Sequence, residues 1–137
     1  MGTSIRPDIS KKNPYWIDRH RYYELKHFCL QYPSYKKFYF SLDGYSPKSA
    51  LQSSGIERQV DPTSMTAAKR LSYLNRINMI ETAAKEADVV IGDYILIAVT
   101  KGLSYEHMRA RYSVPCCKDV YYNVYRRFFW LLSEARQ

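Results

Sequence analysis

Apolar and aromatic residues return every three or four positions through most of this chain, which is the spacing of a buried stripe on an α-helix. The first such stretch covers 18–31, and a second covers 34–42 after Pro33, a residue suited to the first turn of a helix. We therefore predict an aromatic-rich helical unit over residues 15–42. Its buried positions are Tyr22, Leu25, Phe28, Cys29 and Tyr32, followed by Tyr35, Phe38, Tyr39 and Leu42.

The longest periodic stretch begins at Asp61, which can cap a helix whose first residue is Pro62, and it continues to about Asp88. Its apolar residues share one side of the helix at heptad-like spacing. They are Met65, Ala68, Leu71, Leu74, Ile77, Ile80 (or Met79) and Ala84. This pattern predicts a long amphipathic helix that spans the core of the domain, with a seam for a homodimer as the open alternative.

The last third of the chain has the signals of a helix-turn-helix. A turn at 88–93 precedes a short helix that ends before Gly102, and Ser104 can cap the next helix. The sequence Ser-Val-Pro at 113–115 then breaks the chain before a longer basic and aromatic helix at 116–132. Because the second helix of such a motif lies in a DNA groove, this region is the predicted functional part of the protein.

The final helix divides into a buried and an exposed side. The buried side is predicted to consist of Val120, Val124, Phe128 and Leu131, with Tyr121, Tyr125 and Leu132 beside them. Lysine and arginine bind phosphates or guanine, asparagine binds adenine, and tyrosine hydroxyls bind phosphates, so the other side is predicted to contact DNA. The predicted DNA-binding residues are Lys118, Asp119, Tyr122, Asn123, Arg126 and Arg127, with Arg109 and Arg111 on the preceding helix. A solvated helix face over a core is the plainer interpretation of the same residues.

These elements predict an all-α fold, a small helical domain with a C-terminal helix-turn-helix and an N-terminal aromatic-rich unit. The predicted organisation is a flexible arm at 1–14, the helical unit at 15–42, a loop or linker at 43–60, and the long helix with the helix-turn-helix at 61–137. The linker prediction follows from the glycines, prolines and serines of 43–60, which show no sustained periodicity.

Charge supports a polyanionic partner. The net charge is +8, and from residue 101 onward there are seven basic and three acidic residues, against four basic and five acidic at 61–100. Three cysteines, two of them adjacent, do not form a secreted disulfide framework, and neither a signal segment nor a membrane span is evident. We therefore expect a cytoplasmic protein whose partner is double-stranded DNA.

Catalytic motifs are missing from the sequence. It contains no phosphate-binding glycine loop and no nucleophile elbow, so we predict no enzyme and no cofactor. His20, Glu24 and His27 have the spacing of one helical face, but a metal site would need ligands from other helices, and none is predicted. The adjacent thiols of Cys116 and Cys117 are expected to be small apolar residues at a helix start, and the sequence assigns them no role.

The order of these parts resembles the RinA/ArpU-type family of phage late-gene transcriptional regulators, whose helix-turn-helix is similar to region four of sigma factors. The resemblance lies in Cys29–Lys37, in the Asp-Pro-Thr at 61–63 with Arg76–Glu81 further along the long helix, and in the segments at 102–105 and 126–132. It implies a prophage-encoded regulator that binds promoter or packaging-region DNA in a bacterial host and contacts RNA polymerase. Pro115, Cys116 and Cys117 stand where such motifs commonly have serine or threonine.

Two other functions fit the same sequence. A small terminase subunit for DNA packaging also combines a helix-turn-helix with an oligomerising helix. A phage protein that inhibits a host protein would use the fourteen tyrosines as an interaction surface, since tyrosine is favoured at interfaces.

Overall fold

The predicted all-α class is confirmed. The computed structural model describes residues 13–43 and 62–137, and these contain helices and short connections but no strand. The helices are α1 (Arg19–Leu30), α2 (Tyr32–Asp43), α3 (Pro62–Ala87), α4 (Ile91–Lys101), α5 (Tyr105–Tyr112) and α6 (Lys118–Ala135).

The described helices belong to two compact units. Of the described residues, the first unit contains 13–31 together with Met79–Gln137, and the second contains 32–43 and 62–78. In this grouping α1 lies with the C-terminal helices, whereas the sequence analysis described 15–42 as one helical unit. The predicted arm at 1–14 lies outside the described residues except for Asn13 and Pro14, and so does the linker at 43–60 except for Asp43, which ends α2.

Helix ends follow their local signals. Ser104 caps α5 by accepting a hydrogen bond from the His107 backbone N–H at 3.1 Å, as predicted. Gly102 ends α4 in the left-handed conformation with a φ of 71°, also as predicted. By contrast, α6 begins at Lys118, two residues later than predicted, and Cys117 precedes it without a side-chain capping bond.

A glycine allows α3 and α4 to approach each other closely. Asp88 Oδ1 accepts hydrogen bonds from the backbone N–H groups of Val90 and Ile91, both at 2.8 Å, so α4 begins within the predicted turn. A Cβ atom at Gly92 would collide with the carbonyl oxygen of Ala84 on α3. Only glycine fits where α3 and α4 cross, and this close contact fixes the position of the first turn of α4 on the core.

The core of the first unit forms around α4, which packs against α1, α5 and α6. Its largest fully buried side chains are Tyr121, Phe128, Phe129, Leu25, Ile80, Ile95, Met108, Leu132 and Cys29. Arg21 of α1 also holds the end of α6, because its guanidinium donates to Ser133 Oγ and to the carbonyl oxygens of Ser133 and Arg136, each at 3.0 Å. These contacts orient α6 over the core.

The second unit contains α2 and the first part of α3, which meet through aromatic rings. The ring centroids of Phe38 and Tyr73 are 5.3 Å apart, and the Arg70 guanidinium lies 4.3 Å from the Tyr39 ring. The apolar stripe predicted along α3 is wrong in this unit, because Met65 and Leu71 are 51% and 57% exposed. Among the described residues of this unit, α2 is the only other helix, and it does not cover that side of α3.

Candidate nucleic-acid interface

The connection between α5 and α6 is held by specific contacts. It spans 113–117, and it begins with Ser113 in the left-handed region with a φ of 55°. Val114 is buried, and the Tyr105 hydroxyl donates a hydrogen bond of 2.8 Å to the Cys116 carbonyl oxygen. These contacts fix the connection against the body of the first unit.

Aromatic packing sets the position of α6 relative to α5. The ring centroids of Tyr105 and Tyr121 lie 4.9 Å apart, and both side chains are buried. Met108 on the same face of α5 is fully buried. One face of each helix is therefore buried in the core, and the opposite face is exposed to solvent.

The buried side of α6 matches the prediction in part. Tyr121, Val124, Phe128 and Leu132 are buried at spacings of three and four, and Phe129, which the prediction had left unassigned, is buried beside them. Val120 was predicted to be buried but is 45% exposed, while Leu131 is half-buried. Val120 is exposed because it lies two turns before Arg127, in a row of the helix that faces solvent. The buried row contains Tyr121 and Phe128 instead.

Three of the predicted DNA-binding residues form an exposed row on α6. Asp119, Asn123 and Arg127 follow each other at intervals of four residues, and all three are exposed. The Arg127 guanidinium lies 6.0 Å from the ring of Tyr15. This row, Asp119–Asn123–Arg127, is the surface of α6 that a groove of DNA could meet, and we call it the exposed row.

Lys118 stands beside the exposed row but already has a partner. Its Nζ lies 3.0 Å from Glu106 Oε2 on α5, and both side chains are largely exposed. The hydrogen bond between them lowers the pKa of the Glu106 carboxyl and raises that of the Lys118 ammonium. Lys118 would therefore contact a phosphate in competition with the neighbouring Glu106 carboxylate.

Tyr122 and Arg126 are less available than the sequence suggested, because both are half-buried. The Tyr122 ring packs 5.8 Å from that of Tyr125, and burial raises the pKa of its hydroxyl. Arg126 Nη1 donates a hydrogen bond of 3.3 Å to the carbonyl oxygen of Tyr122 on the same helix. The two residues border the exposed row and present only part of their side chains to solvent.

The two predicted arginines of α5 point to different places. Arg109 lines an open groove with Lys118 and Glu106, and the two adjacent cysteines, Cys116 and Cys117, also line it. Arg111 is not among the lining residues, and its guanidinium lies 5.9 Å from the ring of Tyr112. The structure thus brings Arg109 and Lys118 together and leaves Arg111 apart.

Two contributors to this surface were not predicted. Tyr15 comes from the residues before α1, and its ring lies 5.7 Å from that of Trp130 at the far end of the exposed row. Glu106 was not among the predicted DNA-binding residues, yet its carboxylate pairs with Lys118. Local sequence carries no signal for either contact: Tyr15 is 115 positions from Trp130 in the chain, and Glu106 reaches Lys118 only through the turn between the helices.

Metal sites, membrane spans and similar proteins would be further indications of function. In the part of the chain that the structure describes, no three His, Cys, Asp or Glu side chains are grouped as metal ligands. No described helix is both long and apolar enough to cross a bilayer. No protein-family model, curated protein or solved structure matches the chain.

Proposed function

We propose that this protein binds double-stranded DNA through α5 and α6, acting as a helix-turn-helix with α6 in the major groove. The observation that carries the proposal is the exposed row of α6, with Lys118 and Arg109 beside it, on a helix whose other face is buried in the core. Recognition of base edges in the major groove of DNA requires an exposed helix face that carries amide and cationic side chains, and this face of α6 has both.

The residues of the row divide into base readers and phosphate contacts. Asn123 lies in the second turn of α6, close enough to its N-terminus to reach an adenine edge with its amide. Arg127 lies one turn further and is suited to the phosphate backbone. Asp119, in the first turn, can accept a hydrogen bond from a cytosine amino group, and its negative charge disfavours phosphate contact there.

The biological role follows from the resemblance to phage late-gene regulators. We propose a transcriptional regulator encoded by a phage or prophage, which acts in the cytoplasm of its bacterial host and contacts RNA polymerase. The charge of the C-terminal region, seven basic against three acidic residues from position 101, favours rapid association with DNA. A homodimer would double the contacted sequence into two half-sites.

The experiment is fluorescence anisotropy with short duplexes that tile the genomic neighbourhood of the gene, at two salt concentrations. We expect one duplex to bind tightly and to keep its binding at the higher salt, because base contacts do not depend on released counterions. Arg127→Glu should abolish this binding, and Lys85→Glu, a charge reversal at an exposed position of α3, should leave it intact. Weak, uniform binding that salt removes would refute the proposal.

Binding to a protein is the second candidate function, and one observation favours it. In the second unit, Phe38 and Phe40 on α2 are 46% and 58% exposed, as are Met65 and Leu71 on α3 to a similar degree. The fourteen tyrosines of the sequence give it less support, since Tyr23, at 44%, is the only one among the described residues with a large exposed fraction. This alternative would be favoured if the Arg127→Glu variant kept the biological activity of the protein and the Phe40→Ser variant lost it.

A further inference from the structure

Positive charge is concentrated in the second unit. Its 29 described residues contain five cationic residues and one acidic residue, whereas the 78 described residues of the first unit contain eleven and nine. The excess of positive charge is therefore four in the smaller unit and two in the larger one. The cationic residues of the second unit are Lys36, Lys37, Lys69, Arg70 and Arg76. This unit thus attracts a polyanion with a charge density that the first unit lacks.

An accessible aromatic ring lies on the surface of the same unit. Phe40 of α2 is 58% exposed, and its ring makes a T-shaped contact with that of Tyr39 at a centroid distance of 5.3 Å. The Arg70 guanidinium lies 4.3 Å from the same Tyr39 ring. Proteins that hold single-stranded nucleic acid without sequence preference combine these two properties, a ring on which a base stacks and positive charge around it.

Two lysines lie within one helical turn of this ring. Lys36 and Lys37 precede Phe40 by four and three residues, so all three side chains share one side of α2. Lys37 is exposed, and Lys36 is half-buried with its Nζ 5.3 Å from the Tyr32 ring. A nucleotide whose base lies on Phe40 would have its phosphate within reach of these ammonium groups, which bind phosphate as point charges.

The combination of ring and charge selects among polyanions. Duplex DNA offers phosphates, but its bases are stacked on one another and cannot stack on a surface ring. An acidic protein segment offers carboxylates without a base. A single strand presents unstacked bases together with a phosphate at every nucleotide, so it alone satisfies both features.

We propose that Phe40, Lys36 and Lys37 form a binding site for single-stranded nucleic acid, in which a base stacks on the Phe40 ring and the adjoining phosphates pair with the lysines. Binding is independent of base sequence, because every base has a face that can stack. The site goes beyond duplex binding by the exposed row and does not depend on it. Phe40 also belongs to the residues that favour a protein partner, and the test below separates the two partners.

The test is fluorescence anisotropy of the full chain with a labelled oligothymidine of about ten nucleotides, which covers a typical single-strand site and forms no duplex. We expect saturable binding. Phe40→Leu should weaken it about tenfold, because leucine keeps the apolar bulk and removes the stacking surface. Lys37→Gln should reduce the slope of log affinity against log salt by about 0.7.

Two variants serve as matched controls. Met65→Leu changes another exposed apolar residue of the second unit, and Lys85→Gln removes an exposed cation from the first unit. Both should leave the affinity for oligothymidine unaltered. Arg127→Glu should also leave it unaltered while abolishing duplex binding, so failure of this site and failure of the proposed duplex binding are distinguishable.

Three results would overturn the proposal. The first is the absence of saturable oligothymidine binding to protein that circular dichroism shows to be folded. The second is equal affinity of the parent protein and Phe40→Leu, or loss of oligothymidine binding in Arg127→Glu, which would place the strand on α6. The third is binding of a poly-glutamate of equal charge as tightly as oligothymidine, which would assign the surface to acidic protein segments.

Discussion

Tyr105 holds α5 and α6 in their relative positions through two contacts. Its ring packs against Tyr121 and its hydroxyl donates to the Cys116 carbonyl oxygen at 2.8 Å. We expect Tyr105→Phe to lower the free energy of unfolding by about 1–3 kcal/mol, because the carbonyl loses its donor while the ring stays. Urea denaturation measures this value, and Tyr112→Phe is the control, since its hydroxyl has only a 3.5 Å contact with Lys101. Equal losses in the two variants would contradict the role given to Tyr105.

The buried tyrosines predict a loss of stability at alkaline pH. Burial raises the pKa of Tyr121, and it also raises the pKa values of Tyr22 and Tyr125 above the ordinary value of 10.0. Above pH 10 the unfolded chain therefore releases these protons while the folded chain keeps them. The free energy of unfolding is unaffected below that pH and falls as pH rises beyond it.

The Tyr121→Phe variant tests the contribution of one of these hydroxyl groups, because it removes that group and keeps the ring. Each such tyrosine contributes a slope of at most about 1.4 kcal/mol per pH unit, so the variant should show a shallower fall above pH 10 than the parent protein. Urea unfolding at a series of pH values measures both slopes. Identical slopes would mean that the Tyr121 hydroxyl already ionises as readily in the folded chain as in the unfolded one.

At the scale of the element, α5 and α6 carry a charge balance that opposes DNA binding as well as favouring it. Lys118 is held by Glu106 at 3.0 Å. We expect Glu106→Gln to raise affinity for duplex DNA, because it removes a negative charge from the surface and frees Lys118 for a phosphate. Lys118→Gln should weaken binding to all sequences alike and reduce the slope of log affinity against log salt by about one.

Anisotropy titrations across a salt series measure both effects. Lys69→Gln on α3 is the matched control, since it removes an exposed cation from the second unit and should change neither affinity nor slope. If Glu106→Gln weakens binding, or if Lys118→Gln leaves the slope unaltered, the face that contains these residues does not contact the phosphates.

The elements that sequence predicted well are those with local signals. Ser104 and Gly102 define helix ends through a cap and a left-handed residue, so their positions follow from a few neighbouring residues. Val120, Met65 and Leu71 were predicted to be buried but are exposed. Periodicity shows which residues share a helix face, whereas burial depends on whether another helix covers that face.

At the scale of the whole molecule, the grouping of helices was the part that sequence did not predict. Contacts across more than a hundred residues join α1 to α6, among them Arg21 with Ser133 and Tyr22 with Tyr125. Nothing near residue 21 indicates a partner so distant in the chain. The all-α class, by contrast, follows from the period of the apolar residues alone.

For the predicted DNA-binding residues, sequence indicated part of their exposure and none of their surroundings. The exposed row and Arg109 lie at the surface as the helical spacing required, because their own helix decides which way they face. The pairing of Lys118 with Glu106, the separation of Arg111, and the place of Tyr15 beside Trp130 depend on how the helices meet. Those features determine which cations are available to the proposed DNA partner.

The most direct test of the central claim is selection of duplexes from a randomised pool by the parent protein and by Asn123→Ala. The account predicts that the parent protein enriches a defined sequence containing adenine at one position. The variant should enrich the same sequence with that position relaxed, a loss of about 1–3 kcal/mol of discrimination. Recovery of the starting composition by both proteins, or an identical sequence from both, would contradict base recognition by the exposed row of α6.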